Sequence, residues 1–181
     1  MALFPTADSL LEDNLLAGCL NDERVAQHQL YQRYKTSLFS TALRILNDRD
    51  LAQDALQEAF INIFRQLGSF RKQCPLSAWM RTILVRQALL VLRTENRMEL
   101  YDAARHPEPL VGWQDGLTGE ALEKAIRELP AGYRSVFCLI EVEGYTHREV
   151  AELLGITEGT SKSQLHQAKR QLQVKLYTLH R

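Results

Sequence analysis

Residues 145–172 read YTHREVAELLGITEGTSKSQLHQAKRQL, two short helices around a tight turn. Thr146 is placed to cap the first helix, since its hydroxyl can take an orphan backbone N–H. Glu149, three residues on, completes the spacing of a capping box. Val150, Leu153 and Leu154 form one apolar stripe with the small Ala151 beside it. Gly155 falls where the chain reverses, and glycine tolerates the left-handed backbone that ends a helix. Thr157 opens the second helix. From Gly159 to Arg181 the charged residues are Lys162, Lys169, Arg170, Lys175 and Arg181, with no acid among them. Turn, caps and charge together predict a helix-turn-helix whose second helix meets DNA. A plain helical hairpin with a solvated basic face is the alternative.

The remainder of the chain limits what this motif can serve. With 181 residues there is room for one medium domain or two small ones. Basic and acidic residues balance at 22 each, so any nucleic-acid affinity must come from local segregation of charge. Cys19, Cys74 and Cys138 are far apart and fit no metal-ligand spacing, which points to reduced thiols in a cytoplasmic protein. No apolar run approaches the roughly 20 residues that cross a bilayer. The opening MALFPTADSLLEDN has neither a basic start nor a long apolar core, so no secretory signal is expected.

Proline and glycine are scarce until Pro75 and then gather between Thr94 and Gly119. That stretch, TENRMELYDAARHPEPLVGWQDGLTG, carries five acids against two arginines and reads as a flexible acidic linker. No alternating β-pattern is found, so the expected fold is all-α: two small helical domains, 1–95 and 119–181, joined by a linker at 96–118. Helices are predicted over about 9–20, 22–46, 51–67 and 75–93, then about 120–129 and 131–142 ahead of the helix-turn-helix. Asn47 to Asp50 should form a turn, because short side chains with local acceptors favour one. Pro75 suits the first turn of its helix, where a missing N–H costs little.

The third predicted helix, LAQDALQEAFINIFRQL, has two distinct faces. Leu51, Ala55, Leu56, Ala59, Phe60, Ile63, Phe64 and Leu67 make a broad apolar stripe, and burying its larger members is worth about 1.5–3 kcal/mol each. Gln53, Asp54, Gln57, Glu58, Asn62 and Arg65 lie opposite. Asp54 and Glu58 are four residues apart, so like charges meet on one turn at a small cost to the helix. Either a solvated face or an acidic docking face for a basic partner accounts for them. Catalysis by the carboxylates finds no support, for want of a second pair or a metal-spaced histidine.

DLAQDALQEAF resembles the polymerase-binding helix of bacterial sigma factors, in particular the extracytoplasmic-function (ECF) group. FRKQCPLSAWMRTILVRQALLVLR is similar to the loop and helix that follow it there, and GITEGTSKSQLHQAKRQL to that group's promoter-reading helix. The three motifs occur in the family's order and span nearly the whole chain. The resemblance implies reversible binding to core RNA polymerase and recognition of two promoter elements upstream of the start site. It also implies restraint by an anti-sigma factor, expected to be membrane-anchored, in a stress or envelope response. No cofactor, metal or small-molecule substrate is implied.

Carried onto this sequence, the resemblance assigns Asp54, Gln57 and Glu58 to a basic coiled-coil of the polymerase. Thr160, Lys162, Ser163, His166, Gln167, Lys169 and Arg170 would meet the upstream element as duplex, lysines on phosphates and the uncharged polar groups on base edges. Backbone donors near Gly159 and Thr160 suit a phosphate. The downstream element is melted in this family, and its bases need a pocket or stacking surface with cations close by. Phe70, Arg71 and Lys72 in the 68–76 loop, with Arg86 on the next helix, are the candidates. Trp79 could stack on a base, but the core is the expected place for it. Mimicry of nucleic-acid charge by the acidic linker and simple solvation of that linker are both open.

Three departures from the family stand out. Arg86 replaces a usual asparagine, adding a cation and removing an amide that can read a base edge. Ser161 stands where an apolar residue packs the second helix of the motif on the first, and Gln164 where arginine is common. A serine there forgoes about 1 kcal/mol or more of apolar burial, which predicts a motif weakly packed by itself. Two other functions compete: a conventional helix-turn-helix regulator, which would bring an αβ receiver domain, and an adaptor that binds polymerase without reading DNA. An enzyme is disfavoured, since nothing clusters as nucleophile, base and orienter.

Overall fold

Helices account for nearly all of the computed structural model, which describes residues 7–95 and 119–179; no strand occurs among them. Contacts divide the chain into two compact units, 1–42 with 49–88, and 43–48 with 89–181. The predicted linker, 96–118, lies outside the described residues.

The first unit is built from α1 (Ala7–Leu20), most of α2 (Arg24–Leu46), α3 (Arg49–Gln66) and most of α4 (Leu76–Thr94). Each begins or ends within about two residues of its expected place. Asp22 and Asn47 adopt left-handed backbone (φ 57° and 53°) at the turns on either side of α2, where their short polar side chains make that conformation accessible. The core follows the predicted periodicity. Leu30 and Leu38 of α2, Leu56, Phe60 and Ile63 of α3, and Met80 and Leu84 of α4 are all buried. Tyr31 of α2 lies against Phe60 of α3 with ring centroids 4.7 Å apart, an aromatic contact that adds to simple area burial.

The second unit centres on α8 (Glu158–Leu179), which packs on α5 (Gly119–Arg127), α6 (Ala131–Phe137) and α7 (His147–Leu154). The expected helix over 131–142 is not one regular α-helix. After Phe137 it widens into a π-helical turn, Cys138–Val142, where the Glu143 N–H donates to the Cys138 carbonyl. Tyr145 N–H then donates to the Leu139 carbonyl, so the widened turn leads the chain into α7 with its backbone paired.

Buried Arg134 was not singled out by the sequence pattern. Its Nη1 donates to the Leu129 carbonyl at 2.7 Å and its Nε to the Ile45 carbonyl at 3.3 Å, both inside the second unit. Such charge-assisted bonds satisfy carbonyls that a helix leaves orphaned at its C-terminal end. Burial pushes the Cys138 thiol up to about 12, so this sulfur is a packing group and not a nucleophile.

Candidate protein- and nucleic-acid-binding surfaces

The acidic face of α3 follows from its amphipathy. Ala52, Ala55, Leu56, Ala59, Phe60 and Ile63 are buried, which turns Gln53, Asp54, Gln57 and Glu58 outward, all exposed. Asn62 donates from Nδ2 to the Glu58 carbonyl at 3.0 Å, and so stays local to the helix. Asp54, Gln57 and Glu58 therefore form one solvent-facing patch on a helix whose other side is packed into the core.

The downstream candidates surround the 68–76 loop. Arg71 and Lys72 are exposed and Phe70 is half-buried. Trp79 is half-buried as well, not a core residue as expected. Its ring lies 5.2 Å from that of Phe70, tilted by 40°, so the two aromatics cover each other at the loop's edge. The core beneath is filled by Leu76 and Met80 instead. Lys72 has φ 55°, a region that lysine rarely adopts, and its ammonium is held by Asp13 of α1. Arg86 is exposed on α4.

In the second unit the helix-turn-helix has the local chemistry its sequence predicts. Thr146 accepts from the Glu149 N–H, and the Glu149 carboxylate accepts from the Thr146 N–H at 2.8 Å, which is a complete capping box. Those bonds lower the Glu149 pKa, the backbone bond foremost. Gly155 is left-handed at φ 69°. Thr157 accepts from the Thr160 N–H at 3.0 Å and so caps α8. Leu165, Ala168 and Leu172 are buried.

The predicted reading residues fall on the other side of α8 but differ in availability. Lys162 is exposed, while Thr160, Ser163, Gln167 and Arg170 are half-buried. Ser163 donates to the Thr160 carbonyl at 3.0 Å. Lys169 is ion-paired with Glu141 of the π-helical turn at 2.9 Å, and Lys175 with Glu128 at 2.8 Å. His166 is half-buried, and its Nε2 is shut off from solvent without a hydrogen-bond partner.

The two departures in this motif are both inside. Gln164 is 2% exposed and Ser161 0%, so neither belongs to the outward surface. The Ser161 hydroxyl lies 2.9 Å from Nδ1 of His147, the first residue of α7. The weak packing expected at Ser161 is thus corrected: a hydrogen bond across the two helices occupies the place of an apolar contact. Sequence reasoning passed over His147. The signal that pointed to it was a serine on an apolar seam, which calls for a polar partner nearby.

Comparison with known proteins matches these two parts separately. Residues 30–98 match the Sigma-70 region 2 family and residues 119–172 the Sigma-70 region 4 family. The ECF RNA polymerase sigma factor SigM of Mycobacterium tuberculosis is 30% identical over 164 residues, covering 87% of this chain and 81% of the relative. The ECF RNA polymerase sigma-E factor of Haemophilus influenzae is 24% identical over 188 residues, 96% of this chain and 99% of that one. Among solved structures, the sigma factor RpoE of Bartonella quintana, in complex with the anti-sigma factor NepR, superposes with TM-score 0.57 at 26% identity, covering 83% of this chain and 96% of that one. CnrH, in complex with the cytosolic domain of CnrY, shares the fold (TM-score 0.53, 19% identity, 91% and 96% of the two chains). The chain belongs to the ECF family of RNA polymerase sigma factors, proteins that join RNA polymerase to start transcription at specific promoters. No helix among the described residues is long and apolar enough to cross a membrane.

Proposed function

We propose that this sigma factor docks on core RNA polymerase through Asp54, Gln57 and Glu58. The upstream promoter element is then read as duplex by α8, and the melted downstream element is held by Phe70, Arg71, Lys72 and Arg86. The observation that carries the reading is the exposed acidic patch on α3, set against an opposite face buried at Ala52, Ala55, Leu56, Ala59, Phe60 and Ile63. Such a patch has no use in folding, and its two carboxylates cost the isolated helix a little. Charge of this kind sets association rate and register, while the wider surface supplies affinity. On this reading residues 1–95 act on polymerase and the downstream element, 96–118 connect, and 119–181 act on the upstream element.

For α8 the support is a face that holds no acid after Glu158 in the first turn, with Lys162 exposed and Gln167 and Arg170 half-buried beside it. A helix with such a face fits the major groove, where the base pairs are distinguishable. The protein works in the cytoplasm without an enzymatic activity of its own. An anti-sigma factor holds it inactive, as suggested by the similar sigma factor RpoE of Bartonella quintana, solved in complex with the anti-sigma factor NepR. A conventional regulator is disfavoured because residues 30–98 match region 2 and supply no receiver domain.

Reconstitution tests the reading. Purified protein added to core polymerase should give transcripts from a subset of promoters that core alone does not use. Absence of any promoter-specific product would overturn it.

A further inference from the structure

We infer that His147 and Ser161 are a positioning pair that fixes the orientation of the first turn of α8, and through it which bases the helix selects. The inference rests on the reading of α8 as the upstream-element helix. Ser161 is fully buried and belongs to the first turn of α8. Its own N–H donates to the Thr157 carbonyl at 2.9 Å, so its backbone is tied to the cap. Its hydroxyl meets His147 Nδ1 at 2.9 Å, across fourteen residues of sequence. His147 is equally constrained. It follows Thr146, whose capping box with Glu149 anchors the start of α7.

An apolar side chain at position 161 would hold the two helices together but allow α8 to slide or turn by small amounts. A hydrogen bond is directional and weakens steeply away from its preferred geometry. A buried hydroxyl without a partner is also costly, so the pair disfavours any α8 orientation that separates it. Lys162 and Ser163, the next two residues, leave the helix on its outward side and take their direction from Ser161. Binding groups must be held to within about 0.5 Å and 10–20° to be selective. The polar seam therefore links the packing of the motif to its sequence preference. A neutral imidazole accepts the Ser161 hydroxyl at Nδ1, or an Nδ1–H donates to the hydroxyl oxygen; the bond survives in either arrangement.

The test uses holoenzyme formed with core polymerase and a duplex library randomised across the upstream element. His147→Phe keeps a ring and loses the bond. His147→Asn keeps a polar atom near the Nδ1 position. Ser161→Ala loses the bond from the other side, and His147→Phe with Ser161→Val restores an apolar contact. Thermal melts accompany each selection, and selections are run where every variant is folded. The bases preferred by the first turn should lose about tenfold in discrimination with His147→Phe and with Ser161→Ala. His147→Asn should retain the wild-type preference. The double variant should regain melting temperature without regaining that preference. Preference unchanged in His147→Phe and Ser161→Ala, or equally lost in His147→Asn, would overturn the pair as a positioning device. A wild-type holoenzyme that selects no upstream sequence would instead overturn the reading of α8 itself. Lys162→Ala and Gln167→Ala separate the two: if they change binding and the pair variants do not, only the pair inference fails.

Discussion

Helices α3 and α8 are both amphipathic, and both present charge to solvent, yet they divide their work differently. On α3 every buried position is apolar or alanine, and the polar residues at 53, 54, 57 and 58 are exposed. Packing and docking occupy separate faces. On α8 the buried face includes Ser161 and Gln164, and His166 has a nitrogen closed off from water. Lys169, one of the outward cations, is held by Glu141. Folding and recognition share residues there. The comparison teaches that a helix serving as a platform can be altered on one face alone, whereas a reading helix whose seam is polar transmits core changes to its surface.

The largest expected effect tests the platform. Ile63→Ala removes a fully buried side chain from α3 and should cost about 2–5 kcal/mol of stability. The fraction that remains folded should bind core polymerase as wild type does. Denaturant melts with binding measured at low temperature check both halves. A loss of affinity in the folded protein would show that the two faces of α3 are coupled after all.

The reverse experiment follows in size. Asp54→Lys with Glu58→Lys should abolish core binding, a loss of roughly a hundredfold or more for reversed charge at a steering and docking patch. Its melting temperature should stay near wild type, since both carboxylates are exposed. Retained core binding by the folded double variant would remove α3 from the interface.

On α8 a smaller effect is expected from one cation. Lys162→Ala should weaken binding to all duplexes by about 1 kcal/mol and reduce the salt slope by about one, without changing the preferred sequence. Titrations at several salt concentrations measure this. A changed preference would mean that Lys162 reads bases.

The same contrast explains what the sequence made legible. Periodicity placed α3 and its faces because one apolar stripe decided both. Caps were legible too: Thr146, Glu149, Gly155 and Thr157 act within four residues of their partners, and local rules suffice. The π-helical turn at 138–142 was not, because its composition differs little from that of an α-helix. The His147–Ser161, Lys169–Glu141 and Lys72–Asp13 pairs were also out of reach, since each joins residues far apart in the chain. Trp79 misled for a related reason. An aromatic at helical spacing reads as core, but here a second aromatic from the preceding loop covers it and both remain half exposed.

The smallest prediction concerns the cap that anchors α7. Glu149 accepts the Thr146 N–H and the Thr146 hydroxyl, at 2.8 and 2.7 Å, and its pKa is lowered below the ordinary 4.5. A carboxylate whose folded pKa is depressed contributes stability that is fully present above its unfolded value. That contribution fades as pH falls from about 4.5 through the lower folded value. Glu149 is exposed to solvent, so screening keeps the effect well under about 1 kcal/mol. Glu149→Gln retains an acceptor for the backbone N–H but no longer titrates. The variant should melt slightly below wild type at pH 7, and the gap should close below pH 4. A difference measurement between the two proteins cancels the other carboxylates, including Glu128, whose pKa its partner Lys175 also lowers. A gap constant with pH would mean that the cap acts through shape alone. A gap that closes would tie the charge of Glu149 to the start of α7, the same end of the helix from which His147 reaches Ser161.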